Sequence, residues 1–485
     1  MLKPGLRIIL SAGVLLLCPL LALAAPASLD TLQAGGARVT ALAVDVESGK
    51  VLAQLHGDER LVPASLSKLF TAAVALRHWG SNKTFETRLL TDGVQAGEIL
   101  KGKLILAGGG DPGLVSEQLW SLVGQLQAAG ITRIDGDLVV DASLFDTADC
   151  LTPDRCHARL ASRHAYNAGL SAAGINYGSW CVRVTPAAAK GLPALVSTCP
   201  FAVPAVTIQS GVTTDASGQT LSLQRLTGEG EVLRVAGHIG VGNPPAYLYV
   251  SAGDASRQAG ELLRAQLALA GIQVTGGTRV LHQPQAGRVL ASLASLPLAT
   301  QIKRMLDYSN NYMADVLTLD LLAEAQGATA APTLTAAAAH LQALSQSLLL
   351  PYRLDQGAVP AQLASGSGLT TSSRLSAHDL VALLQTMYQQ KDIFPAFVGA
   401  LTVPRYSAIG ILRGPEPAWQ NQVMVKSGSL NEPYSVYGIA GYARTTEGRW
   451  LAFAALLNGT SKQPVLPYAT SMEALRQWVV EQLAP

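Results

Sequence analysis

The chain has 485 residues, of which 14% are charged, and its formal net charge at pH 7 is +2. A charge balance so close to neutral argues against a nucleic-acid-binding or anionic-membrane-binding surface. The length is that of roughly two or three domains, and the abundance of glycine, alanine and leucine indicates a tightly packed α/β or α+β protein.

The first 24 residues have the pattern of a cleavable secretory signal peptide. Lys3 and Arg7 precede an apolar run over residues 8–21, and Ala-Leu-Ala at residues 22–24 offers a cleavage site. The run is short of the roughly 20 residues that cross a bilayer, which favours cleavage over retention as a membrane anchor. The mature chain is therefore expected to fold outside the cytoplasm.

The sequence after the leader predicts a β-hairpin followed by a helix. Residues 39–46 and 51–55 have strand patterns and are joined by Glu-Ser-Gly-Lys, a turn sequence. Apolar residues then recur at helical spacing from Leu66 to Val74. Ser65 is therefore expected at the N-terminus of a helix.

Residues 84–295 differ in pattern from the segments on either side. Short β-like runs separated by glycine, such as residues 137–141, predict a separate folding unit.

Gly-Gly-Gly-Asp-Pro-Gly at residues 108–113 fits the dinucleotide fingerprint G-x-G-x-x-G by its letters. However, Asp111 would repel a pyrophosphate and Pro112 removes a backbone N–H donor, so a tight structural turn is expected instead.

The mature chain keeps four cysteines within one stretch, namely Cys150, Cys156, Cys181 and Cys199. An even, clustered count in an oxidising compartment predicts two disulfides, for which three pairings are possible. Zinc binding is the alternative interpretation. The stretch has no C-x-x-C spacing, so disulfides are favoured and no metal site is expected.

The C-terminal part predicts helices followed by paired strands. Residues 297–306 have a helical pattern, and alanine-rich helical sequence follows Pro332. Residues 435–444 and 450–457 predict two strands joined by a turn. The closing helix over residues 471–483 has one apolar face. Because its polar face is not basic, packing against the sheet is favoured over membrane attachment, which would be peripheral at most.

Three short motifs occur in a fixed order along the chain. They are Ser-Leu-Ser-Lys at residues 65–68, Ser-Asn-Asn at residues 309–311 and Lys-Ser-Gly-Ser at residues 426–429. Each motif alone arises easily by chance in a chain rich in serine. The ordered set resembles S-x-x-K, S-D-N and K-T-G, the motifs of penicillin-binding proteins and class A β-lactamases.

Ser65 and Lys68 are the candidate nucleophile and base. Residues three apart share one face of a helix, so the Lys68 amine can reach the Ser65 hydroxyl. A serine is a weak nucleophile until a base takes its proton. Lysine can be that base when desolvation or a second cation lowers its pKa, and Lys426 is the candidate cation. Without the other motifs, Ser65 would be interpreted as a helix cap and Lys68 as a solvated side chain.

The second motif is expected in a short turn between two helices. Ser309 could pass a proton to the leaving amine, while Asn311 could hydrogen-bond the substrate amide and Lys68. The alternative interpretation of this motif is an ordinary Ser/Asn cap or turn.

The third motif is expected on a strand. Lys426 and Ser427 could hold a terminal carboxylate, and Gly428 leaves room for a substrate backbone beside the strand. The backbone N–H groups of Ser65 and Ser429 would form an oxyanion hole, in which each donor typically supplies about 3 kcal/mol. The alternative is that Gly428 only marks a bulge.

With their surroundings, these motifs resemble the D-alanyl-D-alanine carboxypeptidase/endopeptidase family, the class C low-molecular-mass penicillin-binding proteins. The likeness runs from about Thr40 to the C-terminus. Blocks similar to the family lie at residues 63–71, 109–112, 309–315, 366–369 and 425–430. The long connection between Lys68 and Ser309 is also similar to the family, because simple β-lactamases have a much shorter one.

The resemblance implies an α+β fold. A penicillin-binding, β-lactamase-like serine peptidase domain, built of an antiparallel sheet with helices, would be interrupted by a large β-rich or α/β insert. Residues 25–83 and 296–485 would form the two parts of the peptidase domain. Residues 84–295 would form the insert, with two nested subdomains.

The resemblance also implies a periplasmic enzyme that acts on peptidoglycan stem peptides. It would remove the terminal D-Ala or hydrolyse D-Ala–diaminopimelate cross-links. Ser65 would attack the D-Ala carbonyl, and water would resolve the acyl-enzyme. β-Lactam antibiotics would act as covalent inhibitors, and no metal or other cofactor is implied.

The sequence departs from the family pattern within its motifs. Asn310 stands where aspartate is commoner and Ser427 where threonine is, and both changes should preserve function. Ser365 stands where the family usually has aspartate, and Thr371 where it has arginine. Without that charged pair, the preference between carboxypeptidase and endopeptidase activity stays open.

Two other functions are alternatives. A β-lactamase or esterase on the same fold would form the same acyl-enzyme and would differ in how fast water removes the acyl group. A catalytically silent wall-binding protein would keep the fold without the reaction, but the intact motifs argue against it.

Overall fold

The computed structural model describes residues 28–147, 164–226, 230–327, 332–349 and 361–483. The predicted signal peptide at residues 1–24 lies outside these ranges, as do Cys150 and Cys156. Within the described ranges, no helix is long and apolar enough to cross a membrane.

Helices and strands are numbered here in chain order. The helices are α1 Leu29–Ala34, α2 Ser67–Trp79, α3 Ser116–Ala128, α4 Ala255–Leu269, α5 Leu298–Asp307, α6 Asn311–Gln326, α7 Leu334–Leu349, α8 Ala377–Gln389, α9 Phe394–Ala400, α10 Pro417–Gln422 and α11 Tyr468–Glu481. The strands are β1 Arg38–Asp45, β2 Val51–Leu55, β3 Glu86–Thr91, β4 Val94–Ala96, β5 Ile99–Lys101, β6 Leu104–Ala107, β7 Arg133–Asp135, β8 Leu138–Asp141, β9 Asp146–Thr147, β10 Leu170–Ser171, β11 Ser179–Thr185, β12 Leu195–Cys199, β13 Val206–Asp215, β14 Gln219–Arg225, β15 Glu231–Gly240, β16 Ala246–Ser251, β17 Gln273–Val274, β18 Thr278–Leu281, β19 Arg288–Ala294, β20 Val423–Leu430, β21 Val436–Arg444 and β22 Trp450–Asn458.

One antiparallel sheet is built from both ends of the chain and is called the main sheet below. Its strand order is β2-β1-β22-β21-β20, so β20 forms one edge. The predicted N-terminal hairpin is β1 with β2, and the predicted C-terminal pair is β21 with β22. Helices pack on this sheet, and the predicted α+β fold class is confirmed.

Both faces of the main sheet are covered, which explains why its strands are apolar throughout. In β22, Ala452 and Leu456 pack into the core formed with α2, α5 and α6. Their neighbours Phe453 and Leu457 pack into the opposite core, formed with α1 and α11. Successive side chains of a strand point to opposite faces, so a strand buried on both faces has no polar alternation. The closing helix α11 packs on the sheet, as predicted.

Strands β3 to β19 form sheets of their own. The larger ones have the orders β18-β8-β6-β3-β19 and β17-β7-β5-β4, and the smaller ones are β12-β11-β16, β13-β15-β14 and β10-β9. In the described part of the chain, none of these strands joins the main sheet. We propose on this basis that residues 84–295 are an insert between two parts of a peptidase domain.

A disulfide joins two neighbouring strands of the insert. Cys181 of β11 lies opposite Cys199 of β12, and their Cα atoms are 5.2 Å apart. The prediction of a disulfide is confirmed for this pair, whereas the other two predicted cysteines are outside the described residues.

The glycine-rich segment at residues 108–113 is a tight turn, as predicted. A Cβ added to Gly110 would lie 1.9 Å from Asp320 Oδ1 of α6. Asp111 is buried, and its Oδ1 accepts hydrogen bonds from the Gly113 N–H at 2.9 Å and from Gln301 Nε2 at 2.7 Å. The turn therefore holds the segment after β6 against α5 and α6.

Candidate active site

Ser65 lies on the turn that leads into α2. It is the middle residue of a 3-10 helix, Ala64–Leu66, that directly precedes the α-helix. Ala64 has a φ of +48°, in a region that alanine rarely adopts, and its side chain is fully buried. The Lys68 Nζ lies 2.9 Å from the Ser65 Oγ, in agreement with the contact expected from their spacing.

Lys68 is completely buried, and oxygen atoms hold its amine in place. Besides the Ser65 hydroxyl, it donates to Asn311 Oδ1 at 2.6 Å and to the Ser367 carbonyl at 2.7 Å. A neutral amine in this position can take the hydroxyl proton, and a charged one can return it. Ser367 is not predicted from the sequence as a site residue, because any residue type supplies a backbone carbonyl.

Ser309 lies in the turn between α5 and α6, as predicted, and Asn311 directly follows this turn. Ser309 has a φ of +52°, and Asn311 is the first residue of α6. The cap of this helix is Asn310, so the two asparagines of the motif have separate contacts. The Asn311 Nδ2 donates to the Tyr166 carbonyl at 3.0 Å, which links the motif to the insert. No site residue is predicted from the sequence near Tyr166.

Lys426 of β20 is buried beside the second motif. Its Nζ lies 2.9 Å from Ser309 Oγ and 2.6 Å from the Ser427 carbonyl. Burial lowers the pKa of Lys426 to about 7, against the opposing effect of the Asp307 carboxylate. Near neutral pH this amine therefore interconverts between its charged and neutral forms, which suits a group that relays protons.

Strand β20 presents an open edge to the site. On the side away from β21, Val425 exchanges backbone hydrogen bonds of 2.9 and 3.0 Å with Thr402. Backbone groups two residues apart along a strand point in the same direction. The N–H and C=O groups of Ser427 and Ser429 therefore point to the same outer side as those of Val425.

Gly428 allows β20 to lie directly against the Ser65 turn. A Cβ added there would lie 2.7 Å from the Pro63 carbonyl oxygen and 3.1 Å from the Ser65 nitrogen. The close approach is thus between backbone and backbone, and Gly428 is more than a bulge. The backbone N–H groups of Ser65 and Ser429 lie in the two segments that meet at this contact, the turn before α2 and β20.

Residues 365–371, which lack the family's aspartate and arginine, pack on the turn that carries Ala64 and Ser65. A Cβ added to Gly368, whose φ is +74°, would lie 1.9 Å from the Ala64 carbonyl oxygen. Ser365 is buried, and its hydroxyl accepts the Gly368 N–H at 2.8 Å. The Thr371 carbonyl accepts a hydrogen bond from Arg374 Nη1. A guanidinium therefore lies next to Thr371 although residue 371 itself is uncharged.

The structure brings the predicted site residues together where the turn before α2, the α5–α6 turn and β20 meet. These residues are Ser65, Lys68, Ser309, Asn311, Lys426, Ser427, Gly428 and Ser429. It adds Tyr166, Asp307 and Ser367, which are not predicted from the sequence as site residues. Across the ranges that the structure describes, no group of three or more His, Cys, Asp or Glu side chains is placed to hold a metal ion.

Comparison with known proteins finds relatives over almost the whole chain. D-alanyl-D-alanine carboxypeptidase DacB of Haemophilus influenzae is 26% identical over 432 residues, which are 88% of this chain and 86% of that protein. The D-alanyl-D-alanine carboxypeptidase of Actinomadura sp. strain R39 is 29% identical over 454 residues, which are 88% of this chain and 78% of that protein.

A solved structure shares the fold. The crystal structure of penicillin binding protein 4 (dacB) from Haemophilus influenzae superposes with a TM-score of 0.73 at 23% identity, covering 93% of this chain and 97% of that one. Residues 26–480 match the family described as D-Ala-D-Ala carboxypeptidase 3 (S13). The chain therefore belongs to the D-Ala-D-Ala carboxypeptidase 3 (S13) family of serine-type carboxypeptidases.

Proposed function

We propose that the protein is an exported serine D,D-peptidase that acts on peptidoglycan stem peptides through an acyl-Ser65 intermediate. It would hydrolyse the D-Ala-D-Ala bond, the D-Ala–diaminopimelate cross-link, or both. The observation that carries the proposal is the 2.9 Å contact between Lys68 Nζ and Ser65 Oγ, beside Asn311 and the edge strand β20. Family membership supports the same reaction.

Acylation begins with neutral Lys68 and charged Lys426. Lys68 takes the Ser65 hydroxyl proton while Oγ attacks the carbonyl carbon of the penultimate D-Ala. The Ser65 and Ser429 N–H groups stabilise the negative charge that develops on the carbonyl oxygen. The bond from that carbon to the leaving nitrogen breaks as the nitrogen takes the Ser309 proton, which Lys426 replaces. Acylation leaves an ester on Ser65, a charged Lys68 and a neutral Lys426.

Deacylation reverses these proton transfers. Water attacks the ester carbonyl and gives a proton to Ser309, which passes one to the neutral Lys426 across their 2.9 Å contact. As the bond to Ser65 Oγ breaks, the charged Lys68 returns its proton to that oxygen. Both lysines thereby recover their starting states, and the shortened peptide leaves with a new carboxyl group, which ionises by releasing the remaining proton of the water molecule to the solvent.

Substrate recognition would use the third motif. Lys426 and Ser427 belong to the edge strand β20, and we propose that a charged Lys426 and the Ser427 hydroxyl bind a terminal carboxylate. A β-lactam carries a similar carboxylate next to a reactive carbonyl, and the Haemophilus influenzae protein has been solved in complex with a β-lactam. This supports β-lactams as covalent inhibitors. The signal-peptide pattern at residues 1–24 supports export to the periplasm, where the substrate lies.

The decisive experiment incubates the wild type and Ser65→Ala with a defined stem pentapeptide and with a cross-linked muropeptide. We expect the wild type to release D-Ala, to cleave the cross-link, or both. Ser65→Ala should lose at least about 10³-fold in rate, because the nucleophile is removed. The ratio of the two wild-type rates shows whether carboxypeptidase or endopeptidase activity is preferred, which the sequence does not decide because Ser365 and Thr371 replace the family's charged pair.

Two other outcomes would replace the proposal. Rapid turnover of penicillin with no D-Ala release would identify a β-lactamase or esterase. If mass spectrometry of folded wild type finds no penicillin adduct on Ser65, the protein is catalytically silent and a wall-binding role is favoured.

A further inference from the structure

Asp307 lies where the segments that carry the second and third motifs meet. It is the last residue of α5 and stands two positions before Ser309. Its Oδ1 accepts a hydrogen bond from Thr402 Oγ1 at 2.9 Å, and its Oδ2 accepts one from Lys303 Nζ at 2.8 Å. Each oxygen of the carboxylate therefore has its own partner, which fixes the orientation of the side chain.

Thr402 connects Asp307 to the strand that carries Lys426. Thr402 is buried and exchanges two backbone hydrogen bonds, of 2.9 and 3.0 Å, with Val425, the residue before Lys426. Helix α9, which ends two residues before Thr402, packs on α5. Asp307 thus joins the end of α5 to the outer neighbour of β20. This link lies beside the 2.9 Å contact between Lys426 Nζ and Ser309 Oγ.

The charged form of Lys426 depends on a charge outside its own contacts. The amine is buried, and its contacts with the Ser309 hydroxyl and the Ser427 carbonyl are with neutral groups. Burial lowers its pKa, whereas the Asp307 carboxylate raises it. The proposed reaction begins with a charged Lys426, because this amine replaces the proton that Ser309 gives to the leaving nitrogen. The carboxylate therefore favours the form of Lys426 that the reaction needs.

Other titratable groups near the site do not replace Asp307. Apart from tyrosines, which stay neutral near pH 7, the parts of α2, α5, α6 and the Thr402 segment that lie at the site carry Lys68, Lys303, Arg304, Asp315 and Arg405. The basic groups among them disfavour a charged Lys426. Asp315 is buried, and its Oδ1 accepts the Ser367 N–H at 3.0 Å, beside the carbonyl that holds Lys68.

We infer that Asp307 is a positioning residue for the acylation step: it holds the turn of the second motif against the neighbour of β20 and keeps the Lys426 amine charged. The inference rests on the proposed function for the role of Lys426. It adds to the three motifs a residue that acts through Lys426 and not on the reacting atoms.

The test measures the rate of acylation by a fluorescent penicillin as a function of pH. The wild-type rate should fall on the alkaline side as Lys426 loses its proton. Asp307→Asn keeps an amide oxygen that can accept the Thr402 hydrogen bond but carries no charge, so its alkaline fall should begin at lower pH. We expect its rate to be about tenfold below that of the wild type at pH 8.5, and within about threefold at pH 6.

Two further variants separate the charge from the link. Lys303→Gln removes the positive charge paired with Asp307, so its alkaline fall should begin at the same pH as in the wild type or at a higher one. Thr402→Val keeps the carboxylate but removes its hydrogen bond to the neighbour of β20, and should lower the rate about threefold at every pH. Urea unfolding verifies that each variant is folded.

Asp30→Asn is the matched control. Asp30 is exposed on α1, which packs on the opposite face of the main sheet from α2. This substitution removes the same charge far from Lys426, so its pH profile should coincide with that of the wild type.

Contrary results are well separated. If the Asp307→Asn and wild-type profiles run parallel at all pH values, the charge of Asp307 does not act on the relay and the inference is overturned, even if the overall rate drops. An earlier alkaline fall in Lys303→Gln would also overturn it. If penicillin acylation follows the expected profiles but no peptide is ever hydrolysed, the role of Asp307 stands and the proposed function fails instead.

Discussion

At the scale of single residues, two buried lysines have separate roles in the proposed reaction. Lys68 is held by the Ser65 hydroxyl, the Asn311 amide oxygen and a backbone carbonyl, all within 3 Å. Lys426 of β20 lies against Ser309, 2.9 Å from its hydroxyl. One amine therefore serves the nucleophile and the other the leaving group, and each can be tested alone.

Replacing Lys68 by methionine tests the base. Met has a similar length but cannot take a proton, so the acylation rate by a fluorescent penicillin should fall at least about 10³-fold. Gel-based time courses of labelling measure this rate. Lys103→Met, which alters an exposed lysine of the insert paired with Asp92, should label like the wild type. A Lys68→Met rate within tenfold of the wild type would contradict the role.

The pKa of Lys426 predicts how stability depends on pH. Its value falls from 10.5 to about 7 on folding, because burial disfavours the charged amine. Between these values the unfolded chain binds a proton that the folded chain lacks, so stability rises with pH, by at most about 1.4 kcal/mol per pH unit for this group. Lys426→Met lacks this contribution.

We therefore expect Lys426→Met to be more stable than the wild type at pH 7.5 and to lose that advantage toward pH 10. Urea unfolding at pH 7.5, 8.5 and 9.5 gives the two curves of unfolding free energy. Curves that run parallel across this window would show that the folded amine is not strongly desolvated.

At the scale of elements, the contact between β20 and the turn before α2 decides the geometry. Gly428 is the point of contact, and the atoms that its missing Cβ would meet belong to the backbone of Pro63 and Ser65. Backbone cannot move aside as a flexible side chain can. Either β20 or the turn must shift if any side chain is placed at residue 428.

Gly428→Ala should consequently damage catalysis more than stability. A displacement of about 1 Å can lower the rate about 100-fold, whereas overpacking at one position costs about 1–3 kcal/mol of unfolding free energy. Penicillin acylation and urea unfolding measure the two effects. Gly399→Ala in α9 is the control, because a Cβ there meets nothing within 4 Å. If Gly428→Ala acylates as fast as this control, the close contact is not required.

The sequence correctly predicts those helices, strands and turns whose pattern is local in the chain. The strands β21 and β22 are continuous apolar runs because both faces of the main sheet are buried, and the turn at Ser309 lies between two helical patterns. The sequence does not predict the contacts of Tyr166 and Ser367. Their backbone carbonyls accept hydrogen bonds from Asn311 and Lys68, which are 145 and 299 positions away in the chain. Any residue type supplies such a carbonyl, so only the fold reveals it.

At the scale of the whole molecule, the insert contacts helix α6 of the site at two places. The Tyr166 carbonyl binds Asn311, and the turn at Gly110 packs on Asp320 of α6. Asp320 is buried and its Oδ2 has no hydrogen-bond partner in the described structure. Burial raises its pKa well above the usual 3.8, and the nearby Asp111 carboxylate raises it further. A charge at this junction is costly.

Asp320→Asn should therefore stabilise the protein, with a defined dependence on pH. Above the unfolded pKa near 3.8, the unfolded chain has released a proton that the folded chain retains, so wild-type stability falls as pH rises toward the folded pKa. Asparagine carries no charge, and the variant should gain about 1–3 kcal/mol of unfolding free energy at pH 8, a gain that vanishes toward pH 4. Asp379→Asn should lose stability at pH 8, because Asp379 pairs with Arg60 at 3.1 Å. Urea unfolding of both variants at pH 4 and pH 8 measures these changes in unfolding free energy. If Asp320→Asn is less stable than the wild type at pH 8, the Asp320 carboxylate holds the insert in place as a charged group.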